Sequence, residues 1–355
     1  MAMMMSTFPA PRFDRAMRIT PSPYCCKPPA VVATQAAGRG GGGFMIAFAC
    51  SSEMGWHVVD TVGGCLCGEV LRAVDVVNGR YVAIKQMSLE KISSLAQRNS
   101  SEDPIKEVAV LQFLKAAGRH PNVIEVVEVL QDDHYIYVVL PFCDGGELFS
   151  AVSTTRGLSE DVARPMFRGL LAGMGFLHSL QICHRDMSLE NVLLAGDGQV
   201  KIIDFGMALR LGQPQGHRRG GEAAAAFGGG GGGGGSSGHR SMSPTGPVGK
   251  RHYMPPEVAM DDHEGNGFAA DVWACGIIMF ITLAGVPPFH VPIPAEDRRC
   301  QFVAVERRLL ELVRGWGLPL SSEVVSLIQA CLIFDPNERS SVQDLRNHPW
   351  LVGAG

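Results

Sequence analysis

The 355-residue chain carries 31 Lys and Arg against 35 Asp and Glu, a formal charge of −4, and 46% of its residues are hydrophobic. That is enough apolar mass for a buried core, which excludes disorder as the state of the whole chain, and the mildly acidic balance without a clustered basic surface argues against a nucleic-acid partner. Ten cysteines include no zinc-type Cys-x-x-Cys pair, only Cys25-Cys26 and Cys65-x-Cys67 lying close together, and they read as a reducing, cytoplasmic setting.

Residues 1–55 are poor in acids, place Arg12, Arg15 and Arg18 among Pro, Ser and Thr, and run into Gly40 to Gly43. They read as a low-complexity disordered tail, with an organelle transit peptide as the alternative. The apolar segment from Phe44 to Cys50 falls far short of the ~20 residues that span a bilayer, and no longer run is expected to do so. From Val58 to Leu89, β-branched runs alternate with turn signals, and Asn78-Gly79 between two of them predicts a hairpin in an antiparallel sheet. Ile105, Val108, Leu111 and Leu114 make a helical stripe over 102–117, before two further strands ending at "YIYVVLPF". After Phe149 the periodicity is mainly helical. Ser159 is a predicted N-cap followed by Glu160 and Asp161, and Pro165 predicts a kink or a late start. A second low-complexity tract, 212–248, contains Gly228 to Gly235 and cannot fold alone. The expected fold is α+β and bilobal: a small antiparallel β lobe with one helix (about 56–140) and a larger, mainly helical lobe (about 144–351), with a ligand crevice between them.

Several short motifs follow one another along this layout: "VAIK" ending at Lys85, "GGELF" around Glu147, "HRDMSLEN" at 184–191, "DFG" at 204–206, "PPE" at 255–257, "DVWACG" at 271–276, "DPNERS" around Arg339 and "HPWL" at 348–351. In this order they resemble the eukaryotic protein kinase family, serine/threonine type, over a domain of 56–351. "GGELF" and "HPWL" look most like its calcium/calmodulin-dependent group. The resemblance implies transfer of the γ-phosphate of ATP to protein hydroxyls with Mg²⁺, or Mn²⁺ in its place. Lys85 then grips the α- and β-phosphates while paired with Glu107. Asp204 and Asn191 are the metal ligands, a hard-oxygen set suited to such a cation, and Asp186 orients the substrate hydroxyl. Gly63, Gly68, Val70, Ala83, Leu140, Cys143, Glu147 and Leu193 complete the nucleotide site. Glu257 is expected to pair with Arg339, and Asp271 to hold the catalytic-loop backbone. With four residues after "HPWL", no C-terminal calmodulin-binding helix is expected.

The resemblance breaks at three places. The glycine loop reads Gly63-x-Cys65-x-x-Gly68-x-Val70, with Cys65 in a glycine position; Cys65 and Cys67 raise redox control as an alternative to inert thiols. Two residues after Asp186, where the family usually has lysine, stands Ser188; and before "YMPPE", where it usually has Gly-Thr, stands Gly249-Lys250. The expectation is an exchange, Lys250 supplying the charge and Ser188 the hydroxyl, against the alternative that Lys250 points to solvent beside Arg251. Arg185 suggests docking of a phosphorylated residue placed by an upstream kinase, at Ser241, Ser243 or Thr245. Glu147 and Glu190 suggest a substrate arginine about three residues upstream of the acceptor, and Met207 suggests serine. The competing reading is a pseudokinase, a nucleotide-binding scaffold.

Overall fold

The computed structural model describes residues 30–32, 45–47, 55–98, 102–211, 249–260 and 266–353. The tract 212–248, with Ser241, Ser243 and Thr245, and most of 1–55 lie outside the described residues. Two short strands, β1 (Ala30–Val32) and β2 (Met45–Ala47), fall within 1–55 and extend the sheet by backbone pairing with each other and with β3 (Gly55–Cys65). Any extended backbone can join an open sheet edge in this way, so the low-complexity composition gave no sign of it.

The upper lobe is a seven-stranded antiparallel sheet. β4 (Gly68–Asp75), β5 (Tyr81–Ser88), β6 (Glu128–Gln131) and β7 (Tyr135–Pro141) complete the order β1-β2-β3-β4-β5-β7-β6. The Asn78-Gly79 turn forms where expected. Asp75 accepts from Val77 N–H and Asn78 Nδ2, Asn78 Oδ1 accepts from Arg80 N–H, and Gly79 takes φ 68°, the left-handed region that favours glycine. Strand alternation sorts the side chains into two faces. Leu71, Ala73, Val82, Ile84, Tyr137 and Val139 form a small core with Trp56 on one face, while Met87, Ile136 and Val138 join the main core on the other.

After β5 comes α1 (Leu89–Gln97), which the sequence reading did not anticipate: none of its residues is fully buried, so its apolar signal is weak. α2 (Pro104–Ala117) follows, two residues shorter than expected because Asp103 caps it, accepting from Ile105 and Lys106 N–H. It buries Val108, Leu111 and Leu114 against the sheet, each worth about 1.5–3 kcal/mol. In the lower lobe, α3 (Leu148–Thr155) leads to α4 (Glu160–Ser179), which begins at Glu160 and runs through Pro165. The late start does not occur, since the proline sits in the second turn and the carbonyl it leaves without a donor belongs to the exposed Asp161.

Short strands β8 (Ile182–Cys183), β9 (Val192–Leu194), β10 (Val200–Ile202) and β11 (Leu209–Arg210) pair two by two, β9 with β10 and β8 with β11, at the lip of this lobe. α5 (Pro256–Ala259) precedes α6 (Gly267–Ala284), whose 18 residues have mean hydropathy 1.8. By length and composition α6 qualifies as a bilayer span, which the sequence reading had not allowed for. Its 83% burial within the lobe, including the charged Asp271, is that of a core helix.

Candidate active site

The predicted nucleotide residues share one face of the upper sheet. Val70 pairs with Lys85 and Ala83 with Leu140 across adjacent strands, and directly opposed residues point the same way. All four are only partly buried, facing the crevice. Lys85 Nζ lies 2.6 Å from Glu107 Oε2 on α2. Burial works to lower the Lys85 pKa, but Glu107 and then Asp204 outweigh it and hold the ammonium charged, above its ordinary value. On the other side of the crevice Cys143 is buried, and Glu147 at the start of α3 bridges by backbone to Leu193 in β9.

The glycines separate by physical cause. A Cβ on Gly68 would sit 1.9 Å from the Gln86 carbonyl oxygen, so the neighbouring strand alone demands glycine there, whereas Gly63 and Gly64 have nothing within 4 Å. Open space at Gly63 is what a bound phosphate chain needs. Burial pushes both thiols up, at Cys65 and at the enclosed Cys67, which disfavours thiolate chemistry at this hairpin.

Beneath the sheet, Asp271 on α6 fixes the loop after β8. Its Oδ2 accepts from His184 N–H at 2.9 Å, its Oδ1 from Arg185 N–H at 2.8 Å, and His178 Nε2 lies 3.0 Å from Oδ2. The His184 ring is enclosed, with Nε2 2.9 Å from the Ile203 carbonyl. This hold carries the loop through a positive φ of 69° at Arg185, a conformation that costs a non-glycine residue on the order of 1 kcal/mol. Asp186 emerges from it. Asn191 Nδ2 donates to the Asp186 carbonyl at 2.6 Å and to its Oδ2 at 3.0 Å, while Oδ1 is buried with no hydrogen-bond partner among the described residues. Burial pushes the Asp186 pKa up, opposed by His184, Lys250 and the Asn191 hydrogen bond. Asp204, at φ 64°, is tied to the same loop by Ile203 N–H donating to the Asn191 carbonyl.

The Lys250 side chain is 41% exposed, but its tip lies against the loop that carries Asp186. Its Nζ is 2.8 Å from Ser188 Oγ and 3.2 Å from Glu190 Oε2. Burial would raise the Glu190 pKa, but the Glu190 backbone N–H, Lys250 and Ser188 overcome it and hold the carboxylate below its ordinary value. Further down, Arg339 meets Glu257 at 2.8 and 3.1 Å, fully enclosed.

The sequence that builds this crevice, with a buried lysine–glutamate pair above and an aspartate–asparagine pair below, has relatives among known proteins. Residues 56–351 match the protein kinase domain. The chain belongs to that family. It is similar to CBL-interacting serine/threonine-protein kinase 16 of Arabidopsis thaliana, 30% identical over 80% of this chain and 54% of that protein. It is also similar to the serine/threonine-protein kinases SRK2C and SRK2F of the same plant: 32% identical over 66% of this chain and 60% of the first, 31% over 78% and 67% of the second. The chain thus spans between about half and two thirds of the length of these relatives.

The kinase domain implies use of ATP and a divalent metal, and the residues here suit both. Asn191 spends its amide N–H groups on Asp186, leaving the amide oxygen as the donor it can offer a cation, and Asp204 adds a carboxylate of which Oδ1 accepts from Gly206 N–H. Asp186 Oδ1 keeps an unused acceptor among the described residues. Two features escaped the sequence reading. Glu102 lies against the kinase's DFG turn, so close that a Cβ on Gly206 would meet its Cγ at 2.9 Å; no spacing rule pointed to it. Glu190, expected with Glu147 to face a substrate arginine, also pairs with Lys250, a contact that depends on where the backbone of 249–253 passes.

Proposed function

We propose that the chain is an ATP-dependent serine/threonine protein kinase, transferring the γ-phosphate of Mg-ATP to a serine with an upstream arginine. The observation that carries the reading is the hold on Asp186, one carboxylate oxygen bound by Asn191 and the other, Oδ1, buried without a hydrogen-bond partner among the described residues. Lys85, kept charged by Glu107, binds and orients the phosphate chain; Gly63 leaves room for it. Asn191 and Asp204 hold Mg²⁺, which when bound supplies charge neutralisation to the phosphates. Asp186 accepts the hydrogen bond of the attacking hydroxyl and aligns its lone pair, and the enclosing lobes keep water from competing. With Lys85, Glu107, Asp186 and Asn191 all assembled, no observation favours a nucleotide-binding scaffold.

The upstream arginine is assigned to Glu147, which is exposed at the start of α3 and makes no helix-capping bond. Glu190 is open to an arginine only in competition with Lys250. Met207 after "DFG" supports serine. A radiolabelled γ-phosphate transfer assay with Mg-ATP tests the proposal: an Arg-x-x-Ser peptide is labelled by the parent chain and not by Asp204→Ala. An Ala-x-x-Ser peptide is labelled less, and Glu147→Ala narrows the gap. Labelling undiminished in Asp204→Ala would contradict the proposed site.

A further inference from the structure

Negative charge spreads over the transferring phosphoryl group, and a positioned cation at such a site is worth about 100-fold or more in turnover. The loop that carries Asp186 has none to offer two residues on, where Ser188 is uncharged and fully enclosed. Lys85 is committed to Glu107. The cation beside Ser188 comes from 62 residues further along the chain, in Lys250.

The backbone is built to bring it there. Gly249 takes φ 96°, and a Cβ on it would lie 2.9 Å from the Arg185 carbonyl oxygen and 3.4 Å from Asp186 Oδ1. Only glycine lets the strand of chain pass this close over the catalytic aspartate. The next side chain then donates to Ser188 Oγ at 2.8 Å and pairs in charge with Glu190 Oε2 at 3.2 Å, which together hold the ammonium against the loop of Asp186. Tyr253 N–H donating to the Lys250 carbonyl at 2.9 Å closes this turn, and the Tyr253 ring is buried beneath it.

We infer that Lys250 supplies the positive charge that faces the phosphoryl group during transfer, with Ser188 and Glu190 as the residues that position it. The inference rests on the kinase reading above. Its consequence is regulatory as well as chemical. The charge is carried by the segment 249–253, not by the loop that holds Asp186, so any displacement of that segment removes the charge from the site. Transfer and segment position are thereby one switch.

Four variants of the full chain test this: Lys250→Gln, which keeps hydrogen-bonding reach without charge; Lys250→Arg, which keeps charge; Lys250→Thr; and Ser188→Lys with Lys250→Thr, which returns the cation to the loop. Each is assayed for kcat and for the KM of ATP, with a thermal melt to verify folding. Lys250→Gln and Lys250→Thr are expected to lower kcat about 100-fold while the KM of ATP moves less than about threefold. Lys250→Arg retains more than Lys250→Gln, and the double exchange recovers at least about tenfold over Lys250→Thr. Lys250→Gln turning over like the parent, or equal losses in Gln and Arg, would overturn the inference, because a mere tether tolerates a neutral hydrogen-bonding side chain. The Gln and Arg comparison decides the matter even where Ser188→Lys does not fold. A parent chain that transfers no phosphate would remove the kinase reading and this one together, whereas transfer that survives Lys250→Gln removes this one alone.

Discussion

Lys85 and Glu107 face each other at 2.6 Å in a site where each depends on the other, since a buried charge without its counter-ion costs more than the pair gains. Removing the lysine in Lys85→Met should therefore destabilise the fold by up to about 3 kcal/mol and abolish transfer. Adding Glu107→Leu should restore the melting temperature and leave transfer absent. Calorimetry and the transfer assay, run on the same preparations, separate the two effects; activity returning with stability would contradict a phosphate-binding role for Lys85. This pairing was legible in the sequence through the resemblance to the kinase family, which pairs the lysine of "VAIK" with a glutamate on the following helix. The Lys250 contact was legible as an exchange of residue types with Ser188, but its anchoring by Glu190 was not. That contact is made by two backbones far apart in sequence, and periodicity carries no information about such an approach.

Among the elements, the β3–β4 hairpin shows how one glycine answers to packing and another to a ligand. Gly68→Ala forces a carbon to within 1.9 Å of the Gln86 carbonyl and should cost about 1–3 kcal/mol, lowering the melting temperature by several degrees. Gly63→Ala meets nothing and should melt like the parent while weakening ATP binding. Thermal melts and nucleotide titration of both variants check this, and a Gly63→Ala protein as destabilised as Gly68→Ala would contradict it. Elements with a strong period were read correctly from sequence: the strands around Asn78-Gly79, the stripe of α2, the start of α4 after Ser159, though the Ser159 side chain makes no capping bond. Those with a weak one were not. α1 buries no residue completely, so its face leaves no clear pattern, and Pro165 misled because its cost depends on which carbonyl loses a donor.

Across the whole molecule, a few buried polar groups tie distant segments. Arg339 donates to Glu257 and to the carbonyls of Ala269, Ile333 and Phe334, joining α5, α6 and the chain after the helix Ser322–Cys331. Arg339→Leu leaves Glu257 buried and unpaired and should cost about 3–5 kcal/mol, read as a large drop in melting temperature. Glu160 plays a similar part at the far end of α4. Its carboxylate accepts from Ser321 N–H, Ser321 Oγ and Trp350 Nε1 at 2.6 to 2.7 Å. Burial would raise its pKa, but these hydrogen bonds overcome it and hold it below the ordinary 4.5. A carboxylate lowered by folding stabilises fully above its unfolded value, and that contribution disappears as pH falls through the folded one. The melting gap between the parent and Glu160→Gln should thus be widest at neutral pH and close on acidification below about pH 4.5; a gap independent of pH would contradict the assignment. These ties join segments of the lobe that also carries Asp186, and the most direct test lies at that residue. Single-turnover transfer from Mg-ATP to an Arg-x-x-Ser peptide is measured for the parent and for Asp186→Asn, with nucleotide binding followed in parallel. The parent is expected to transfer rapidly and the variant to lose about 100-fold or more at unchanged nucleotide affinity. Equal transfer rates in the two proteins, or nucleotide binding by the parent without transfer, would contradict this expectation.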